Sequence, residues 1–169
     1  MTRRVNNIVA TFALDLAESV TAAVAGAAGQ SGGLAAAIVY LSQEPGIGVE
    51  RLRSVLGLSQ PATVRLINQL ETDGLVTRAR HGGDRRRVEL RLSCAGEARA
   101  TEIATARLAA PGRFLTGLEP EDRQSLVDVI GRIYARRAPD HAEAERICRL
   151  CDLRACPERT CPITQAIAG

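Results

Sequence analysis

Apolar positions carry most of the information in this chain. Val5, Ile8, Val9, Phe12, Ala13, Leu16, Val20 and Val24 recur at three- and four-residue spacing, the period of an amphipathic helix. Gly26, Gly29, Gly32 and Gly33 break that pattern. Leu34 to Gln43 reads as a short, mostly buried helix closed by Pro45-Gly46, and Val49 to Leu56 as a third helix ending at Gly57. A fourth is predicted over Ser59 to Asp73, with Ser59 as N-cap, Pro61 in the first turn and Gly74 as the stop. The period then changes to two. Leu75 to Arg80 and Arg85 to Leu92 alternate around Gly82-Gly83-Asp84, which predicts a β-hairpin. Ser93 caps a further helix that runs to Ala110 and is interrupted by Pro111-Gly112. Leu118 to Tyr134 is amphipathic again, and Asp140 starts a last short helix.

This order predicts a mainly α fold with a small β-hairpin wing. A short helix, the tight turn Gly57-Leu58-Ser59, a capped helix and a hairpin make a winged helix-turn-helix. The expected organisation is an N-terminal helix at 1–33, a winged helix-turn-helix region at 34–93, C-terminal helices at 94–138 and a Cys-rich tail at 139–169.

The fourth helix has two faces. Ala62, Thr63, Leu66, Ile67 and Leu70 share the side that packs inward, while Pro61, Val64, Arg65, Asn68 and Thr72 lie opposite, with Gln60 at the exposed end. Amides and a guanidinium suit base edges, and an apolar side chain suits a thymine methyl. A polar outer face alone describes any surface helix. The hairpin adds to it. Arg85, Arg87, Glu89 and Arg91 share one face of its second strand, and Asp84 and Arg86 point the same way at the base of the wing.

Composition narrows the picture further. Apolar residues make up 46% of the chain, yet it has only two Phe, two Tyr and no Trp, so the core is built from Ala, Leu, Ile and Val. The net charge is only +3, but Arg78, Arg80, Arg85, Arg86, Arg87 and Arg91 fall within fourteen positions, a local basic patch suited to phosphate. No uninterrupted apolar run reaches the roughly 18 residues a bilayer requires, which predicts a cytoplasmic chain with no membrane partner. No Ser-His-Asp or Cys-His arrangement and no phosphate-binding glycine loop stands out, so no enzymatic activity is expected.

The segment "LRSVLGLSQPATVRLINQLETDGLVTRARHGGDRRRVELRLSCAGEA" resembles the winged helix-turn-helix core of the MarR family of transcriptional regulators. The matching features are the "LS" entry to the fourth helix, "RL" followed by "LE" and "GLV", the D-x-R pair Asp84 and Arg86, and the "LS–AG" opening of the next helix. The resemblance implies a homodimer with intertwined first and last long helices, a palindromic DNA operator, and repression relieved by a small ligand or an oxidant. By position it places Gln60, Thr63, Val64 and Arg65 at or near the groove and has Asp84 and Arg86 order the wing; Ser59, Pro61 and Asn68 of the helix and Arg85 and Arg87 of the hairpin complete the candidate DNA-binding residues. The helical wheel points Thr63 inward, against that placement. Two departures stand out. Family pockets for aromatic acids are not legible in a chain so poor in aromatic residues, and the reactive first-helix Cys of peroxide-sensing members is missing.

Four of the five cysteines lie in the tail, where Cys148, Cys151, Cys156 and Cys161 follow C-x2-C-x4-C-x4-C. Four thiolates so close together can enclose one tetrahedral Zn2+. They can equally hold an iron–sulfur cluster, and both later cysteines precede Pro as the last ligand of ferredoxin runs does. Zinc is favoured only on general frequency; free thiols are the remaining reading. Pro157 and Pro162 are expected to keep the later pair in extended chain. Cys94 reads as a small buried residue, and His81 and His141 as surface residues without ligand-spaced partners. The leading function is a DNA-binding dimeric repressor controlled by metal or redox state through this site. The alternative is a dimeric redox or metal-handling protein that keeps the winged fold without operator binding.

Overall fold

The computed structural model describes residues 2–29, 32–80, 88–153, 155–156 and 160–168. Helix α1 (Thr2–Ala28) leads into α2 (Gly32–Gln43), a two-residue strand β1 (Ile47–Gly48), α3 (Val49–Leu56) and α4 (Gln60–Thr72). Strands β2 (Val76–Arg80) and β3 (Val88–Leu92) follow, then α5 (Cys94–Ala109), the single turn α6 (Gly112–Leu115) and α7 (Pro120–Arg137). The tail contributes α8 (His141–Cys148) and α9 (Pro162–Ala168). The mainly helical fold with a small sheet is the expected one, with β1, α6 and α9 as additions.

The core is centred on α2, in which Leu34 to Leu41 are all buried. Leu52 and Val55 of α3, Ile67 and Leu70 of α4, Val76, Leu90, Ala100 and Ile103 close around it. The sheet is antiparallel with order β1-β3-β2. Its register pairs Ile47 with Leu90 and Val76 with Leu92, so Val76 and Leu90 face inward. A strand as short as β1 leaves no alternation to read, and only pairing with β3 makes it a strand.

Two local devices set the angles between elements. Helix α3 ends at Gly57, whose φ of +64° is the left-handed region that glycine enters without strain. There the Leu58 N–H bonds to the Arg53 carbonyl at 3.2 Å, turning the chain into α4. At the other end of the module, Ser93 ties the hairpin to α5. Its N–H donates to the Leu75 carbonyl at 2.9 Å, its hydroxyl donates to the Gly74 carbonyl at 2.6 Å, and its Oγ accepts the Gly96 N–H at 3.1 Å. Helix α5 then passes so close to β2 that a Cβ on Gly96 would sit 2.2 Å from the Leu75 carbonyl oxygen.

By length and composition alone α1 would suffice to cross a membrane, although Asp15 and Glu18 interrupt its apolar positions. Several expectations are corrected. Only Val24 and Ala28 of α1 are buried, and Val5, Ile8, Val9 and Phe12 stand exposed. Cys94 is exposed, since the first position of α5 points away from the core. Pro162 does not hold the tail extended but begins α9, a position where its missing N–H costs no helical bond; Pro157 lies outside the described residues. Helix α7 carries no buried residue among those described, leaving Val127, Val129, Ile130 and Ile133 exposed.

Replacing Gly96 with Ala forces a methyl group against a backbone carbonyl that cannot rotate away. Thermal unfolding of Gly96→Ala is expected to show a loss of about 1–3 kcal/mol, and an unchanged melting curve would mean that α5 and β2 separate freely.

Candidate nucleic-acid interface and thiol cluster

Helix α4 is positioned from both ends. At its start the Ser59 Oγ accepts the Ala62 N–H at 3.4 Å and the Ser59 carbonyl accepts the Thr63 N–H at 3.0 Å. Ile67 and Leu70, with Thr63, pin the inner face. Gln60, Pro61, Val64, Arg65 and Asn68 are all exposed and form one outward stripe, as the wheel predicts. Thr63 does not belong to it. Its side chain is fully buried and its hydroxyl donates to the Ser59 carbonyl at 3.0 Å, so it shapes the helix start and does not reach a groove.

One further residue joins helix to hairpin. Arg78 on β2 donates from Nη2 to Asn68 Oδ1 at 2.7 Å and pairs through Nε with Glu71 at 3.2 Å. It therefore orients Asn68 and fixes α4 to the first strand of the wing. The sequence marked Arg78 only as part of a basic patch, because its partners lie seven and ten positions back on another element. Asp84, Arg85, Arg86, Arg87 and His81 lie outside the described residues. On the part of the hairpin that is described, Arg91 and Glu89 form an ion pair at 3.0 Å.

The sequence profile of the MarR family matches residues 35–87. That segment spans α2 to the wing. Over that segment the chain is similar to the MarR family. Solved MarR-like structures share the fold well beyond it. The YusO protein of Bacillus subtilis superposes with a TM-score of 0.69 at 16% identity, over 78% of this chain and 93% of its own. The transcriptional repressor CouR, solved on a 23-mer DNA duplex, gives 0.59 at 23% identity over 75% and 89%. CouR of Rhodococcus jostii bound to p-coumaroyl-CoA gives 0.57 at 20% identity over 76% and 90%. MarR proteins are DNA-binding regulators and not enzymes, in keeping with the sequence reading.

Outside the MarR-matched segment, the tail brings its four cysteines together. Cys148, Cys151, Cys156 and Cys161 line one cavity of about 150 Å³, with Ala144, Ile163 and Ile167 as its apolar wall. They stand as two hydrogen-bonded pairs, Cys148 with Cys151 and Cys156 with Cys161. Among the described residues, no three Cys, His, Asp or Glu side chains converge at metal-ligand spacing; the four thiols share a cavity lining without forming a metal-ligand group. The hydrogen bond from Cys148 holds the Cys151 thiol down to about 6, assisted by the Arg107 guanidinium, whose Nη2 lies 3.8 Å from the sulfur. The same bond, followed by burial, pushes Cys148 up. Burial and the bond to Cys161 raise Cys156. Burial would also raise Cys161, but hydrogen bonds from Thr164 and the Ile163 backbone hold it below the usual thiol range. Arg107, sixteen positions past Arg91 and far from the tail in sequence, carried no local signal of this contact.

Thr63→Val tests the corrected placement. It should lower stability by about 0.5–1.5 kcal/mol through the lost hydroxyl bond and leave DNA affinity of the folded protein unchanged. A selective loss of affinity in fully folded variant would return Thr63 to the interface.

Proposed function

We propose that this chain is a homodimeric, sequence-specific transcriptional repressor that acts in the cytoplasm on a palindromic DNA operator. The observation that carries the proposal is the exposed stripe Gln60, Pro61, Val64, Arg65 and Asn68 on a capped helix fixed to a basic hairpin by Arg78. Arg65 and Gln60 have the donors and acceptors that major-groove base edges require, Val64 can meet thymine methyls, and the first turn of α4 offers N–H groups to phosphate. Arg85, Arg86 and Arg87 supply positive charge for the backbone or minor groove beside it. The DNA complex of CouR supports this reading.

Dimerisation rests on the apolar rows that the fold leaves uncovered, Val5, Ile8, Val9 and Phe12 on α1 and Val127, Val129, Ile130 and Ile133 on α7. A second chain covering them removes a large apolar surface from water. It sets two α4 helices about one turn of DNA, roughly 34–36 Å, apart. Two inputs then suit the fold. A cavity of about 320 Å³ between α2, α5 and the tail, lined by Val39, Ser42, Thr101, Thr105, Leu108 and Leu153, is the place for a small organic effector, and the acyl-CoA complex of CouR supports such control. Cys148, Cys151, Cys156 and Cys161 hold zinc or an iron–sulfur cluster, through which metal or redox state conditions DNA binding.

Selection from a randomised duplex pool, followed by anisotropy titrations, tests the whole reading. Specific binding should weaken with salt, the slope of log K against log salt growing by about 0.9 per phosphate contacted. Arg65→Ala should cost about 1–3 kcal/mol on the selected sequence and relax its preference. No enrichment of any sequence would leave the metal-handling alternative standing. Val9→Asp places a charge in the proposed dimer face, and sedimentation should fall from two chains to one; a dimer of undiminished affinity would move the interface elsewhere.

A further inference from the structure

The tail does not hang free of the DNA-binding module. Helix α8 lies against α3, held by a two-pronged ion pair in which Arg51 Nη1 donates to Glu145 Oε2 at 2.7 Å and Nη2 donates to Oε1. Glu44, at the end of α2, stands 3.9 Å from the same guanidinium. At its other end α8 is anchored to α7 by the ion pair of Arg137 with Glu143. The residue after Glu145, Arg146, lies along the helix-turn-helix turn itself: its Cδ lies 3.9 Å from where a Cβ on Gly57 would be. Arg146 is exposed and, among the described residues, forms no ion pair. Its side-chain stem therefore lies beside Gly57, two residues before Ser59, the cap of α4.

The thiols fasten this arrangement at three points. Cys148 is the last residue of α8. Cys151 sits between α2 and α5, its carbonyl accepting from Gln43 Nε2 and its sulfur from Arg107. Cys161 precedes α9, which lies along α7 with Pro162 against Gly131. A thiolate-bound centre joins all three. With metal–sulfur bonds of about 2.3 Å, neighbouring sulfurs in a tetrahedral site stand about 3.8 Å apart, close to the spacing of a thiol–thiol hydrogen bond. The four sulfurs line one cavity, and loading requires that they close on a common point at this spacing. Without the centre, α8 keeps exposed ion pairs of small worth and a short helix of marginal stability.

We propose that a thiophilic metal centre on Cys148, Cys151, Cys156 and Cys161 clamps α8 onto α3 and so delivers Arg146 as an additional phosphate-contacting residue beside the α4 N-terminus. The proposal rests on the reading of the chain as a DNA-binding regulator with a metal-holding tail, and it assigns the regulation a direction: the loaded protein binds DNA more tightly. Glu145 and Arg51 are positioning residues for Arg146.

The test compares anaerobically purified protein, loaded with zinc(II) or carrying its native centre, with chelated protein kept reduced by a phosphine. Iron and sulfide with a brown colour, or one zinc in a colourless protein, identify which source supplies the centre. On the selected duplex, loaded wild type should bind about tenfold more tightly than chelated protein. Arg146→Ala should bring the loaded form down at least about threefold and lower its salt slope by about 1, while leaving the chelated form unchanged. Glu145→Gln should keep its full metal content yet lose most of the difference between loaded and chelated forms. Equal affinities with and without metal, or an Arg146→Ala loss of the same size in both forms, would overturn the clamp while leaving operator binding intact. If wild type selects no DNA at all, the regulator reading fails instead, and amide exchange decides the clamp by itself. Slower exchange over Leu52–Leu56 on zinc loading in wild type, but not in Glu145→Gln, sustains it, and identical exchange in all states removes it.

Discussion

Burial of one helix on every side is the constraint on which this structure depends. Helix α2 is enclosed over the eight residues from Leu34 to Leu41, and elements from α1 to α5 close around it. A helix can be surrounded at that density only if parts of its surface are small. Ala35, Ala36 and Ala37 let neighbouring backbones approach, while Ile38 and Leu41 fill the gaps between them. The scarcity of aromatic residues follows from the same packing, since a Trp on this helix would hold its neighbours apart. The tyrosine it does carry has its ring in the core, and burial, together with nearby Glu44, pushes its hydroxyl up to about 12, so Tyr40 stays neutral among the charges that connect α2, α3 and α8.

Much of this arrangement was legible in the amino-acid pattern. The 3.6-residue period of α1 and α4, the Ser59 and Ser93 caps and the turn at Gly57 are local features, and local features show in sequence. The stripe on α4 was legible for the same reason, because a helix of known register has only one outside. What was not legible came from pairings across the chain. β1 is a strand only by virtue of Leu90 and Glu89 opposite it. Arg78 bridges to Asn68, Arg107 reaches Cys151, and Arg51 finds Glu145 ninety-four positions later. None of these contacts has a periodicity.

The two readings of Thr63 show how such evidence should be weighed. Family position placed it near the groove, and the helical wheel placed it inside. Its complete burial and its bond to the Ser59 carbonyl follow the wheel. A helix entering a groove presents fewer than half its residues, so adjacency to a reading residue is weak support for reading. The cysteine cluster gives the complementary lesson. Spacing showed that the four thiols lie near one another along the chain, but not that they would line one cavity against packed helices.

The shared hold of Arg78 on Asn68 and Glu71 bears on how an operator can change over evolutionary time. On the proposed reading of α4 as the helix that faces DNA, one guanidinium links that helix to the first wing strand, so the two are not independent. A base change under the wing that shifts the hairpin is transmitted to Asn68, and the fit beneath the helix changes with it. Energies of operator positions under helix and wing are then coupled and not additive. Descendants of such a regulator acquire new target sites in blocks, with the helix-facing and wing-facing bases replaced together.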